Sequence, residues 1–139
     1  MPLIYNGQEI GLDRRLEFFE KDPIIWPEPF TNEWETFYKR LVELRTQNPA
    51  LFSAGGGGLL KALHLENTDV IAFSRSVPGN TVLVFANLSS EPQTQAIEPA
   101  DLAGDYVDWF TNEVVSLEAL DTVQLAPNSF KVLVQKQGS

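Results

Sequence analysis

Cysteine is absent from this chain of 139 residues, so neither a disulfide framework nor a thiolate metal site can form. Histidine occurs once, as His64, in the strand-like run Ala62-Leu63-His64-Leu65. One imidazole, with no serine or thiol in a recognisable nucleophile motif, supports neither a catalytic triad nor a zinc site. A structural or surface role is expected for it, and no cofactor or metal is expected. Positive charge is scarce: 10 Lys and Arg stand against 19 Asp and Glu, for a net charge of −9. A polyanion would be repelled, so nucleic acid is not an expected partner. No apolar run approaches the roughly 20 residues of a membrane span, so no membrane partner is expected. Met1–Tyr5 has neither the basic start nor the long apolar core of a signal peptide. The glycine run at 55–58 is followed by Leu59-Leu60-Lys61 rather than by the Lys-Ser/Thr of a phosphate loop, so it reads as a flexible linker between a helix and a sheet.

What the chain does have is a hydrophobic content of 43%, enough for a packed core. The stretch Asp69–Leu88 sets two apolar, β-branched and aromatic runs around Pro78-Gly79-Asn80, which predicts a β-hairpin at the centre of the fold. Val82–Ala86 is apolar throughout and predicts a strand buried on both faces. A three-residue turn would place Val77 opposite Thr81 and Phe73 opposite Phe85, with Asn80 left-handed; a two-residue turn would set Phe73 against Val84. The first is preferred. Further strands are predicted at Leu59–Leu65, Gln93–Ile97, Tyr106–Phe110, Thr122–Leu125 and Phe130–Gln135, separated by turn signals. Such spacing predicts a mainly β fold, an antiparallel, Greek-key-like β-sandwich.

One amphipathic helix is predicted ahead of the sandwich, over residues 32–47. Asn32 and Glu35 fit a capping box, and Trp34, Phe37, Tyr38, Leu41, Val42 and Leu44 form one apolar stripe. Asn48-Pro49 ends it. Before the helix, Pro2–Tyr5 reads as a short strand and is followed by a long loop to Phe30.

Two carboxylates about 5–9 Å apart would suit glycoside hydrolysis, yet no such pair stands out. Asp105, Asp108, Glu17 and Glu20 are expected on solvated surface. Trp34 is expected in the core. Trp109 is expected in the core or, failing that, on a sugar-stacking platform, and Trp26 is left open between the two.

The segment Met1–Leu12 resembles the last barrel strand of the α-amylase family, glycoside hydrolase family 13. Pro2, Tyr5, Gly7, Glu9 and Gly11 match its end-of-barrel motif. Leu16–Ile24 and Trp26 resemble the loop that follows. Phe37–Arg45 with Asn48–Leu51 resembles the final barrel helix and its exit, and Val70–Arg75 with Val82–Ser89 resembles strands of the family's C-terminal sandwich. The resemblance implies that residues 1–52 are a remnant of a (β/α)8 barrel and residues 53–139 a C-terminal sandwich. It implies a retaining, α-glucan-degrading parent whose aspartate and glutamate catalytic motifs all lie upstream, so no residue here is given a catalytic role. Gly7 and Glu9 would shape the barrel mouth. The chain's expected role is structural support of the catalytic barrel, with the barrel as its partner. The alternative is an α-glucan-binding module using Trp109 or Trp26. The abrupt apolar start suits a piece of a longer protein. Residues 2–26, cut from a barrel, are expected to be mobile, folded back on the helix, or paired with another chain.

Overall fold

The computed structural model describes residues 3–28, 32–53, 55–63, 67–97, 102–118 and 121–135. Two compact units divide the chain, Met1–Leu44 and Arg45–Ser139. Pro2 and His64 lie outside the described residues, so the roles expected of them find no counterpart below.

In the first unit the expected strand at Pro2–Tyr5 is not formed: Leu3–Tyr5 is irregular and exposed, and the chain turns at once into a 3-10 helix, Gln8–Ile10. A parallel strand needs neighbours to take its backbone hydrogen bonds, and no strand of this unit is described beside it. Helix α1 spans Glu33–Gln47, as the capping signal predicts. Asn32 Oδ1 accepts the Glu35 N–H at 2.8 Å, satisfying one of the free amides of the first turn. The apolar stripe is less buried than expected. Leu44 is buried, Phe37, Tyr38 and Leu41 are half-buried, Trp34 is 46% exposed and Val42 is exposed. Trp34 is therefore not a core residue, because an amphipathic stripe is buried only where another layer covers it.

The second unit is the predicted antiparallel sandwich. Strands β1 (Leu60–Ala62), β2 (Val70–Val77), β3 (Asn80–Asn87), β8 (Phe130–Gln135), β5 (Gly104–Asp108) and β6 (Val114–Leu117) form the larger sheet, in the order β1-β2-β3-β8-β5-β6. Strands β4 (Gln93–Ile97) and β7 (Asp121–Leu125) form the smaller one. The chain leaves the larger sheet twice, for β4 and for β7, and β8 returns between β3 and β5. This is the Greek-key character. Alternation in β2, β3 and β5 turns Ala72, Leu83, Phe85 and Tyr106 inward. They join Leu117 and Leu133 of the same sheet, Ile97, Val123 and Leu125 of the smaller sheet, and Leu63 and Leu102, in one core. The Tyr106 hydroxyl, fully buried, donates to the Leu102 carbonyl at 2.9 Å, which removes the penalty of an unpaired buried group.

The hairpin register differs from the preferred one. Val77 pairs with Asn80 and Phe73 with Val84, around the two-residue loop Pro78-Gly79. Gly79 has φ 80°, and proline then glycine at the two central positions is the demand of a type II turn. Asn80 is thereby released from the turn and becomes the first residue of β3, buried at the edge of the hairpin.

Strand β5 also ends two residues early. The Asp108 carboxylate accepts the N–H groups of Phe110 (2.9 Å) and Thr111 (3.1 Å) and turns the chain into β6, a strand the sequence reading did not find. Asp108 is buried, against the expectation of a solvated carboxylate, and Asn112 takes φ 63° in the same turn. Asp105 is exposed as expected and accepts the Ser116 hydroxyl across the β5–β6 pair.

The glycine run is not a free linker. A Cβ at Gly58 would lie 2.6 Å from the Ser76 backbone nitrogen, and one at Gly57 would lie 2.9 Å from the Phe52 carbonyl carbon. Both glycines mark close backbone approaches. Gly55, with φ 87°, and Gly56 face open space.

Candidate functional site

Three places could carry function: the end-of-barrel motif, the helix exit, and the tryptophans. In the first, Tyr5–Leu12 closes on itself. The Gly7 carbonyl accepts the N–H groups of Ile10 (3.2 Å) and Leu12 (3.0 Å), and Tyr5 O accepts that of Gln8 at 2.9 Å. Side chains complete the turn: Gln8 Oε1 takes the Tyr5 N–H at 2.6 Å and Glu9 Oε2 takes the Gly7 N–H at 3.0 Å. Glycine is required at both motif positions. Gly7 and Gly11 have φ 95° and 66°, and side chains crowd each: Leu12 and Ile24 at Gly7, the Trp34 indole at Gly11. Of the motif residues, Tyr5, Gly7, Glu9 and Gly11 are thus brought into one turn.

The following loop is held by a bidentate ion pair. Arg14 donates to both Asp22 oxygens at 2.6 and 2.7 Å and to the Pro23 carbonyl at 3.1 Å, and Asp22 also accepts the Glu17 N–H at 3.0 Å. The Arg14 guanidinium first, and the Glu17 amide second, hold the Asp22 carboxyl at about 2. The same pairing raises Arg14. Turn and loop together line an open pocket of about 310 Å³, with Tyr5, Asn6, Gln8, Arg14, Arg15 and Phe18 among its walls.

The helix exit is the most connected place. After α1, Pro49–Leu51 makes a second 3-10 turn, and residues 48–58 are locked onto β2 and β3. Asn80 Nδ2 donates to Asn48 Oδ1 at 3.0 Å while its Oδ1 accepts the Ala50 N–H at 2.9 Å, all three residues being buried. The Ala50 carbonyl accepts the Gly58 N–H at 2.9 Å. Arg75 donates to the carbonyls of Gly58 (2.8 Å), Phe52 (3.1 Å) and Leu51 (3.3 Å). Arg45 reaches the same Leu51 carbonyl and the Ser53 hydroxyl. By strand alternation Arg75 and Asn80 stand on the face of the larger sheet turned away from the core. The sequence places Asn48 at the helix end and Asn80 in the hairpin turn, and gives Arg45 and Arg75 no individual role. The available signals were an arginine inside an apolar strand and an asparagine opening one.

Of the tryptophans, Trp34 sets its indole against Gly11 of the motif. Trp26 is 39% exposed in an irregular segment. Trp109 is half-buried just past β5, where its backbone N–H donates to the Val132 carbonyl at 2.8 Å. Glu17 and Glu20 are exposed. Among the described residues, no group of His, Asp and Glu could hold a metal ion, and no helix is long and apolar enough to cross a membrane.

Comparison with known proteins gives these features a setting. A family profile described as Maltogenic Amylase, C-terminal domain, matches residues 60–132. Alpha-amylase 2 of Dictyoglomus thermophilum is 26% identical over 97% of this chain and 23% of its own length. Neopullulanase 2 of Thermoactinomyces vulgaris is 32% identical over 82% of this chain and 19% of its own. This chain therefore spans about a fifth of the length of these curated relatives. In three dimensions it resembles the noncanonic maltogenic alpha-amylase AmyB from Thermotoga neapolitana, with TM-score 0.77, 18% identity, 96% of this chain and 32% of that one covered.

Proposed function

The chain belongs to the family of maltogenic amylase C-terminal domains, and on that premise we propose that it is the accessory, non-catalytic end of an α-glucan-degrading glycoside hydrolase of the amylase type. Its role is to brace the catalytic barrel. In this reading α1 is the final barrel helix, Gly7 and Glu9 shape the barrel mouth, and residues 53–139 are the bracing sandwich. The observation that carries it is the lock of residues 48–58 onto β2 and β3. Buried amide pairs and a three-carbonyl arginine clasp tie the exit of α1 to a rigid sheet. Buried, satisfied polar networks of this kind fix one geometry. A helix exit so fixed to the sheet is the joint through which the sandwich would brace the barrel.

A binding role is the second reading, favoured by the exposure of Trp26. One experiment addresses both. Purified chain is titrated with maltoheptaose while tryptophan fluorescence is followed, and the same samples are assayed for new reducing ends, with soluble starch in parallel. The bracing reading expects no reducing sugar and no fluorescence change up to millimolar oligosaccharide. Reproducible release of reducing ends overturns the non-catalytic role. A saturable fluorescence change, lost in Trp26→Ala or Trp109→Ala, replaces bracing by sugar binding.

A further inference from the structure

The turn at Tyr5–Leu12 contains Asn6-Gly7, the dipeptide in which a backbone amide most readily attacks the side chain before it. In that reaction the Gly7 nitrogen bonds to Asn6 Cγ and the Cγ–Nδ2 bond breaks. The amide proton leaves with ammonia, and a five-membered succinimide remains. Water then opens the ring at either carbonyl, giving aspartate or isoaspartate at this position. Glycine favours the attack because no side chain shields its nitrogen.

Position 7 cannot escape this liability. Its φ of 95° and the Leu12 and Ile24 side chains packed against it demand glycine. Asn6 is exposed to the water that the second step consumes. We propose that Asn6 is a latent modification site, a deamidation site that the Glu9 carboxylate guards. Glu9 Oε2 holds the attacking N–H at 3.0 Å. An amide must lose its proton to attack, and an anion formed there would face a carboxylate, which disfavours it. The Gly7 carbonyl, in the next peptide unit, is pinned as well, by Ile10 and Leu12, which restrains the residue that bears the attacking nitrogen. Conversion to isoaspartate would add a methylene to the backbone and undo the closure between Tyr5 and Leu12.

The test is ageing of the full chain at neutral to mildly alkaline pH, followed by mass spectrometry of the tryptic peptide ending at Arg14. Asn6→Gln serves to localise any mass gain. Conversion is expected to be slow in native buffer and fast in urea. Glu9→Ala is expected to convert about tenfold faster than the unaltered chain, the factor carried by one charge-assisted hydrogen bond. Glu9→Gln, which keeps an oxygen acceptor but no charge, is expected to fall between. Asp22→Asn loosens the neighbouring loop without touching Glu9 and is expected to leave the rate unchanged. The inference is overturned if the native chain converts as fast as the urea-unfolded one, if Glu9→Ala is no faster than the unaltered chain, or if Asp22→Asn accelerates conversion as much as Glu9→Ala does.

Discussion

Asp22, half-buried, orders the loop around it. It receives two bonds from Arg14 and one from the Glu17 amide, all of which favour its ionised form. Its carboxyl is held at about 2, below the usual 3.8. A depressed carboxylate stabilises the fold fully above its unfolded value and stops doing so as pH falls through the folded one. The loop over residues 14–23 is therefore expected to stay closed at pH 5 and to open between about pH 4 and pH 2. The measurement is an NMR titration of the Asp22 carboxyl with amide exchange at Glu17. A midpoint near the ordinary aspartate value would remove the ion pair from this account. Asp22→Asn is expected to speed exchange at Glu17 at neutral pH. Gly7, Glu9 and Gly11 could be picked out from the sequence because their spacing resembles a family motif. Asp108 could not be picked out, since a buried capping carboxylate and a solvated one are the same letter until the turn after β5 is known.

At the scale of elements, the helix exit is where backbone shape matters most. Gly56 and Gly58 are two residues apart in one run, yet their surroundings are opposite. A methyl at Gly58 would press on the backbone of Ser76, while at Gly56 it meets nothing closer than 4.0 Å. Gly58→Ala is expected to destabilise the sandwich by about 1–3 kcal/mol through overpacking. Gly56→Ala is expected to be neutral or to stabilise by about 0.4–1 kcal/mol, by restricting the unfolded chain. Asn80→Ala strands the buried Ala50 N–H and is expected to cost about 1–3 kcal/mol. Urea denaturation of the three variants checks the order, and Gly56→Ala as harmful as Gly58→Ala would return the run to a plain linker. Strands β4 and β8 were legible to the residue because each run ended at clear turn signals. The hairpin register was not. Pro78-Gly79-Asn80 contains residues suited to either turn length, and only the lock between Asn80 and the helix exit selects one.

For the whole molecule, the two units differ in how much apolar surface they hide. The sandwich gathers its large side chains into one core. The first unit leaves Leu3, Phe18, Phe19 and Ile25 more than four-fifths exposed, the state expected of a segment whose proposed barrel neighbours are not in the chain. Sequence alone separates these outcomes poorly, because apolar residues announce that they will be covered and not by what. Exposed apolar surface of this kind drives association, opposed here by a net charge of −9. The isolated chain is accordingly expected to self-associate through residues 3–26, and more strongly as salt screens the repulsion. A version beginning at Asn32 is expected to remain monomeric with its β-sheet signal intact. Sedimentation at rising protein and salt concentration measures both. A strict monomer with slow amide exchange across residues 3–26 would mean that this segment covers its own apolar side chains, and that the barrel is not what they await.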